Sequence, residues 1–209
     1  MFKIKTEHPF CIDSEDYKNP LGSANDFHTN PAFIKKSWML FRRPISFLDL
    51  GCANGTFIED CCKLGVPACG VDGSDYGVKN KTGGWGSYPD HFLNADLTKP
   101  YQIYNDEYGD VRFDVVTAWD VLEHIKEEDL PQFMQNVKNH MHQTSLFFVG
   151  IATFPCDNYH VTIKDCDWWR DYLSKDWINY HEIMDWFTPP DLVAPVEGKC
   201  HFVLGHKYV

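Results

Sequence analysis

Along the chain, short unbroken apolar runs alternate with segments whose apolar residues recur every three or four positions. The runs read as buried strands and the periodic segments as helices. Pro31 to Phe41 predicts a helix, with Pro31 in its first turn and Ile34, Trp38 and Phe41 on one face. Ile45 to Leu50 predicts a strand, Gly51 to Gly55 a tight turn, and Thr56 to Leu64 a helix ended by Gly65. Ala68 to Asp72 is a second strand, followed by a short helix from Asp75 to Lys81 and a loop at Gly83-Gly84-Trp85-Gly86. His91 to Ala95 and Phe113 to Trp119 are the third and fourth strands. Leu130, Phe133, Met134, Val137 and Met141 mark an amphipathic helix over 128–141. Ser145 to Ile151 is a fifth strand. Helices follow at 165–173 and 178–187, then a closing hairpin from Val193–Val196 and His201–Tyr208. Residues 1–30 are polar and turn-rich and define no firm element. Strands apolar on both faces, alternating with helices, imply a parallel sheet covered on both sides.

Composition narrows the function. Of the 209 residues 44% are hydrophobic and 15% aromatic, enough for a packed core. The formal net charge is -11, and no run of Lys or Arg could form a phosphate-neutralising surface. General nucleic-acid binding is therefore not expected; a small-molecule substrate is. No apolar stretch is long enough to span a membrane, and Met1 to Glu7 lacks the apolar centre of a signal peptide. Of eight cysteines, Cys52, Cys61, Cys62 and Cys69 lie inside apolar segments without a Cys-x-x-Cys pair. They read as reduced core residues of a cytoplasmic protein.

In a parallel sheet, ligands bind beyond the carboxyl ends of the strands, and polar residues gather there in this chain. The first strand runs into Asp49-Leu50-Gly51-Cys52-Ala53-Asn54-Gly55, whose glycines permit positive φ and close backbone approach. The helix that follows begins with unpaired N–H groups. The second strand ends in Asp72, placed to accept hydrogen bonds from a ribose diol. Asn94-Ala95-Asp96-Leu97 follows the third strand, where Asp96 suits an adenine amino group and Leu97 the ring face. The fourth strand ends in Trp119-Asp120, followed by Val121-Leu122-Glu123-His124. Plainer roles compete: Asp49 as a cap of the turn, Asp72 as a helix cap, Asp96 as a turn residue, Trp119 as core, Asp114 as structural. Trp85 reads as part of a surface turn or, less simply, of a lid.

Together these segments resemble the class I S-adenosylmethionine-dependent methyltransferases from about Ser46 onward. Phe47 to Gly55 is similar to the family's first motif, with Ala53 in place of its middle glycine; Gly70-Val71-Asp72 resembles the second, Asn94 to Leu97 the third, and Phe113 to Ile125 the fourth and its continuation. The resemblance implies a Rossmann-like three-layer α/β sandwich of about seven strands, mostly parallel, with an antiparallel last strand. It implies one methyltransferase domain over 1–209, with 1–44 as an N-terminal cap and 45–209 as the core. It implies S-adenosyl-L-methionine as cofactor, held by Asp49, Gly51, Cys52, Ala53, Gly55, Asp72, Asp96, Leu97, Trp119 and Asp120.

The acceptor is less marked. The Asn/Asp-Pro-Pro-Tyr/Phe signature of amino-group methylation is absent from Thr117-Ala118-Trp119-Asp120, and Pro189-Pro190 lies too far downstream to replace it. Pro155-Cys156 follows the fifth strand rather than the fourth, which argues against a covalent cysteine. Oxygen of a small molecule is the expected target, a sugar hydroxyl first and a phenol or quinone precursor second. His160, just after the fifth strand, and His124 are the candidate bases, since a neutral imidazole suits proton removal near pH 7; His160 also has a structural alternative. Asp120-x-x-Glu123-His124 resembles the metal-binding segment of metal-dependent O-methyltransferases, with His160 as a possible further ligand of a divalent ion. A non-catalytic S-adenosylmethionine-binding module and a nicotinamide-dependent dehydrogenase are the remaining alternatives.

Overall fold

The computed structural model describes residues 1–25, 29–187 and 198–207. The chain begins with β1 (Lys3–Thr6), α1 (Glu15–Lys18), α2 (Leu21–Asn25) and α3 (Pro31–Phe41). It continues through β2 (Phe47–Leu50), α4 (Thr56–Lys63), β3 (Ala68–Asp72), α5 (Tyr76–Asn80), α6 (Gly83–Ser87) and β4 (Phe92–Asn94). Next come β5 (Tyr101–Asn105), β6 (Gly109–Asp110), β7 (Phe113–Trp119), α7 (Leu130–Asn139) and β8 (Met141–Ala152). The last elements are α8 (Cys166–Ser174), β9 (Trp177–Asn179), α9 (His181–Trp186) and β10 (Lys199–His206).

Among the described residues the main sheet has seven strands in the order β4-β3-β2-β7-β8-β10-β9. The pairs from β4 to β8 are parallel, and β10 runs antiparallel to both neighbours. This is the Rossmann-like sandwich, antiparallel last strand included. Successive strand residues face opposite sides, as the pleat requires. Phe47, Val115 and Phe148 enter one apolar cluster with α3 and α4 residues such as Phe33, Ile34 and Ile58. Leu48, Val116 and Phe147 enter the other, with Phe133 and Val137 of α7 and Trp169 of α8. Phe33 is wholly buried and touches the rings of Phe47, Phe57, Trp119, Phe148 and Phe187; its truncation to alanine costs roughly 3–5 kcal/mol.

Strand order reverses between β2 and β7, so the crevice opens beyond their carboxyl ends. The polar first thirty residues bear on it directly. β1 forms a second small sheet with β5 and β6, and the chain then runs along the crevice, where Asp96 N donates to the His8 carbonyl and Cys11 N to that of Gly73.

Two expectations change. Gly83 to Gly86 is not a loop but most of α6, and Trp85 is buried, stacked on Phe92 at 4.8 Å between ring centroids. The glycines are there for close packing: a Cβ on Gly83 would lie 2.5 Å from the Asn54 carbonyl oxygen, and one on Gly84 2.4 Å from that of Gly55. The helix expected over 178–187 splits into β9 and α9, because Asn179 and Ile178 pair with Leu204 and Gly205 at the sheet edge. Of the closing hairpin, β10 forms and pairs with β8 and β9, while Val193–Val196 lies outside the described residues. Cys52, Cys61, Cys62 and Cys69 are free thiols; Cys166 and Cys200, which the sequence left unassigned, form a disulfide between α8 and β10. Among the described residues no helix is long and apolar enough to cross a membrane.

Candidate active site

A cavity of about 430 Å³ lies beyond the ends of β2, β3, β4, β7 and β8, within the range of small-ligand sites. Its floor is the turn after β2. Gly51 has φ +70° and Gly55 φ +77°, the left-handed region where a side chain is strained. Space forbids one as well: a Cβ on Gly51 would meet Val121 Cγ2 at 2.6 Å, and one on Gly55 the Phe92 ring at 2.3 Å. Ala53 also takes a positive φ, +47°, and is tied down from both sides. Its N–H donates to Asp72 Oδ2 at 2.9 Å, and its carbonyl accepts from Trp85 Nε1 at 2.8 Å. The buried α6 tryptophan thus braces the strained residue of the turn.

Three carboxylates follow one another along this side. Thr117 Oγ1 donates to Asp49 Oδ1 at 2.6 Å. Asp72 Oδ1 accepts from Ser74 N at 2.7 Å, while Ser74 Oγ, rather than Asp72, takes the Tyr76 N–H at the start of α5. Burial pushes the Asp72 carboxyl up to about 6 despite these backbone N–H bonds. Asp96 Oδ1 accepts from Thr98 N and Oγ1 at 2.9 and 2.6 Å, so the turn role and a place in the cavity coexist. Cys11, from the N-terminal segment, packs here, and burial pushes its thiol up to about 11.

The opposite end gathers imidazoles, a buried carboxyl and an ammonium. His160 Nδ1 lies 2.6 Å from the Phe154 carbonyl oxygen. A carbonyl only accepts, so Nδ1 carries the proton and Nε2 the basic lone pair. Burial, with His124 beside it, lowers the His160 pKa below the ordinary imidazole value. The His124 ring is 4.9 Å away, and its Nδ1 is 2.9 Å from Asp16 Oδ2 of α1. Burial acts to lower the His124 pKa, but the Asp16 hydrogen bond and charge, with Glu123 and Asp120, outweigh it and raise the pKa. Glu123 is fully buried: Oε1 accepts from Ala152 N at 2.8 Å, Oε2 has no hydrogen-bond partner, and burial pushes its carboxyl up to about 7. One ligand atom from each of Glu123, His124 and His160 falls within 4.8 Å of the others. Asp120, at φ +53°, accepts from Lys199 Nζ at 2.5 Å.

Asp49, Gly51, Cys52, Ala53, Asp72, Asp96, Leu97, Trp119, Asp120, His124 and His160 all line this one cavity. Gly55 does not; it shapes the turn from behind, with Gly84 and Phe92 packed on it. Trp119 lines the cavity and packs edge-on against Phe33. Asp114 is structural, held by Arg43 and Ser46 away from the cavity. Sequence reasoning missed Asp16, Trp85 and Lys199. Ser14, which accepts from Tyr17 N as the N-cap of α1, was a local signal for the helix that carries Asp16. Nothing local marked Lys199, which only the pairing of β10 with β8 brings opposite Ala152.

A Rossmann-like sheet with its acidic, glycine-floored crevice at the strand-order reversal defines a nucleoside-binding α/β protein. Residues 24–194 match the family described as "Methyltransferase domain", and the chain belongs to that family. Ubiquinone biosynthesis O-methyltransferase from Methylobacterium nodulans is 24% identical over 165 residues, covering 75% of this chain and 61% of that protein. The chain thus spans about three fifths of the length of that curated relative. The fold is similar to that of a TehB-like SAM-dependent methyltransferase from Corynebacterium glutamicum, at TM-score 0.59 and 17% identity, covering 92% of this chain and 95% of that one. A Pyrococcus horikoshii protein aligns equally well, at TM-score 0.59 and 13% identity over 95% of both chains.

Proposed function

We propose that this protein transfers a methyl group from S-adenosylmethionine to a hydroxyl oxygen of a small molecule, with His160 as the general base. The observation that carries this reading is the His160 imidazole, which lines the same cavity as the glycine turn, with Nε2 as its basic atom and a depressed pKa. The residues present suit the cofactor. The turn over Gly51 to Ala53 has no room for added side chains and fits the amino-acid end, while Asp72 is placed for the ribose hydroxyls and Asp96, with Leu97, for the adenine. Leu97, Cys52 and Phe57 supply apolar surface between these acidic groups. The bound sulfonium supplies an electrophilic methyl carbon.

Transfer is an in-line displacement, so the protein's first task is to hold the acceptor oxygen aligned, worth roughly 7–11 kcal/mol. His160 Nε2 takes the hydroxyl proton, a contribution of about 10²- to 10⁴-fold. Asp16 raises the His124 pKa, and the charge His124 carries when protonated disfavours a second one on His160, which favours the neutral form there. Phe154, Tyr159 and Trp119 give this end an aromatic lining. That lining and the relatives' name favour a phenol or quinone precursor over a sugar hydroxyl. A product-mass screen of purified protein with S-adenosylmethionine and panels of phenols, sugars and amines tests the reading. Methylated amines without methylated hydroxyls, or no product with any acceptor, overturn it.

One observation favours a metal-assisted variant of the same reaction. The orphaned, buried Glu123 Oε2 and the two imidazoles form a donor set of the His₂Glu type. A divalent ion held there would supply a Lewis acid for the acceptor oxygen. Asp120, the further carboxylate of that reading, is engaged by Lys199. Loss of activity in chelator and its return with a divalent ion would establish this variant.

A further inference from the structure

Lys199 is out of character with its surroundings. Among the described residues lining the cavity it is the one Lys or Arg, beside Asp16, Asp49, Asp72, Asp96 and Asp120. Its side chain is only 10% exposed. Burying an ammonium is costly unless it is paired, and a site built around a sulfonium gains nothing from another cation. Asp120 offsets part of that cost with one hydrogen bond at 2.5 Å. An ammonium has three donors, so further N–H groups remain for a ligand.

Its position is set by the sheet. Lys199 opens β10 opposite Ala152, whose N–H holds the buried Glu123. The preceding residue is fastened as well: the Gly198 carbonyl accepts from both Thr153 N and Thr153 Oγ1 at 2.7 Å. Gly198 also abuts the Phe154 ring, a Cβ there lying 3.2 Å from Phe154 Cδ1, and Phe154 in turn packs on His160 at 5.6 Å. Lys199 thus stands at the His160 end of the cavity.

From this juxtaposition we propose that Lys199 determines acceptor specificity: it binds a carboxylate carried by the acceptor, away from the hydroxyl that faces His160. The proposal rests on the O-methylation reading for which hydroxyl reacts, but the anion site is testable by binding alone. Asp120 is then a positioning residue that holds the ammonium ready, and the ligand carboxylate shares its N–H donors.

The test is calorimetric binding of 3- and 4-hydroxybenzoate and the matching hydroxybenzamides to the protein loaded with S-adenosylhomocysteine. Wild type should bind the acids at least about tenfold more tightly than the amides. Lys199→Met should erase that preference and Lys199→Arg keep most of it, each variant showing a cooperative melting transition. Equal affinity for acid and amide in wild type, or no binding of either, overturns the proposal without recourse to any variant. So does a Lys199→Met protein that weakens acids and amides alike, which would show Lys199 only propping Asp120. The product-mass screen separates the two ideas: an acid bound selectively by wild type, with no hydroxyl of the whole acceptor panel methylated, leaves the anion site standing and removes the O-methylation reading.

Discussion

At the glycine-turn end of the cavity, Asp49, Asp72 and Asp96 sit at or just beyond three neighbouring parallel strands, each ordered by backbone N–H groups or hydroxyls of its own neighbourhood. At the other end, Asp16, His124, His160 and Lys199 come from α1, the turn after β7, the loop after β8 and the start of β10, and they order one another. The first end is carried by strand tips and the turns after them, with Thr117 and the N-terminal segment packed against it. The second exists only when four distant segments are docked. On the proposed reading the first end holds the cofactor and the second meets the acceptor, so acceptor choice would be set where the distant segments meet.

The largest effect that would break this division is at His160. Replacing it with alanine should reduce turnover by about 10²- to 10⁴-fold while S-adenosylhomocysteine affinity stays near wild type. In wild type, activity should rise with pH as His160 loses its proton, with the limb displaced below the ordinary imidazole value because its pKa is lowered. A limb unchanged in the mutant would transfer the base role to His124.

Asp72→Ala probes the opposite end. It should weaken S-adenosylhomocysteine by roughly 1.5–3 kcal/mol, the range for hydrogen bonds to a charged group, and leave the pKa of His160 unmoved. Linkage sharpens the test. Asp72 has a raised pKa of about 6 in the folded, ligand-free protein. Its contribution to stability is therefore greatest below the unfolded carboxylate pKa and is lost as pH rises through about 6. A ribose diol donating to the ionised form should bind with proton release near that pH, measurable by calorimetry in buffers of different ionisation heat. Binding without proton release would place the ribose elsewhere.

Trp85→Phe asks how far the local end depends on its brace. The ring stacking on Phe92 is retained, but the hydrogen bond to the Ala53 carbonyl is lost, and stability should fall by about 1–3 kcal/mol. Cofactor affinity should fall with it, because Ala53 is the strained residue of the turn. An unchanged melting temperature would show that the turn holds itself.

The smallest effect is Asp16→Asn, read by NMR titration of His124. Losing the partner carboxylate should lower the His124 pKa, since that carboxylate is the main influence raising it against burial. In wild type the pair stabilises the fold fully below the unfolded imidazole pKa and stops doing so as pH rises through the raised folded value. A His124 titration indifferent to Asp16 would detach α1 from the reactive end.

Much was legible before any coordinates. The parallel sheet and the polar ends of its strands followed from apolar periodicity, because strand tips and the turns after them are local features; the cofactor residues among the cavity lining followed from the family resemblance of those ends. Even the plainer roles proved compatible with the site, as at Asp96 and Trp119. What local pattern could not supply was packing across distance. Three glycines around Trp85 look like a loop in one dimension; only the Gly51–Gly55 turn pressed against Gly83 and Gly84, and the Lys81 carbonyl against Gly86, show why a glycine-rich helix belongs there. Register at the sheet edge divided one helical-looking segment into β9 and α9. Asp16 and Lys199 carry no motif, and their value comes from the partner each meets: His124 for one, Asp120 for the other. Sequence periodicity determines which face of an element is buried, and so the layers and the strand ends. Which charge stands beside which is decided by tertiary structure, because a few ångströms between side chains far apart in the chain determine both their pairing and their protonation.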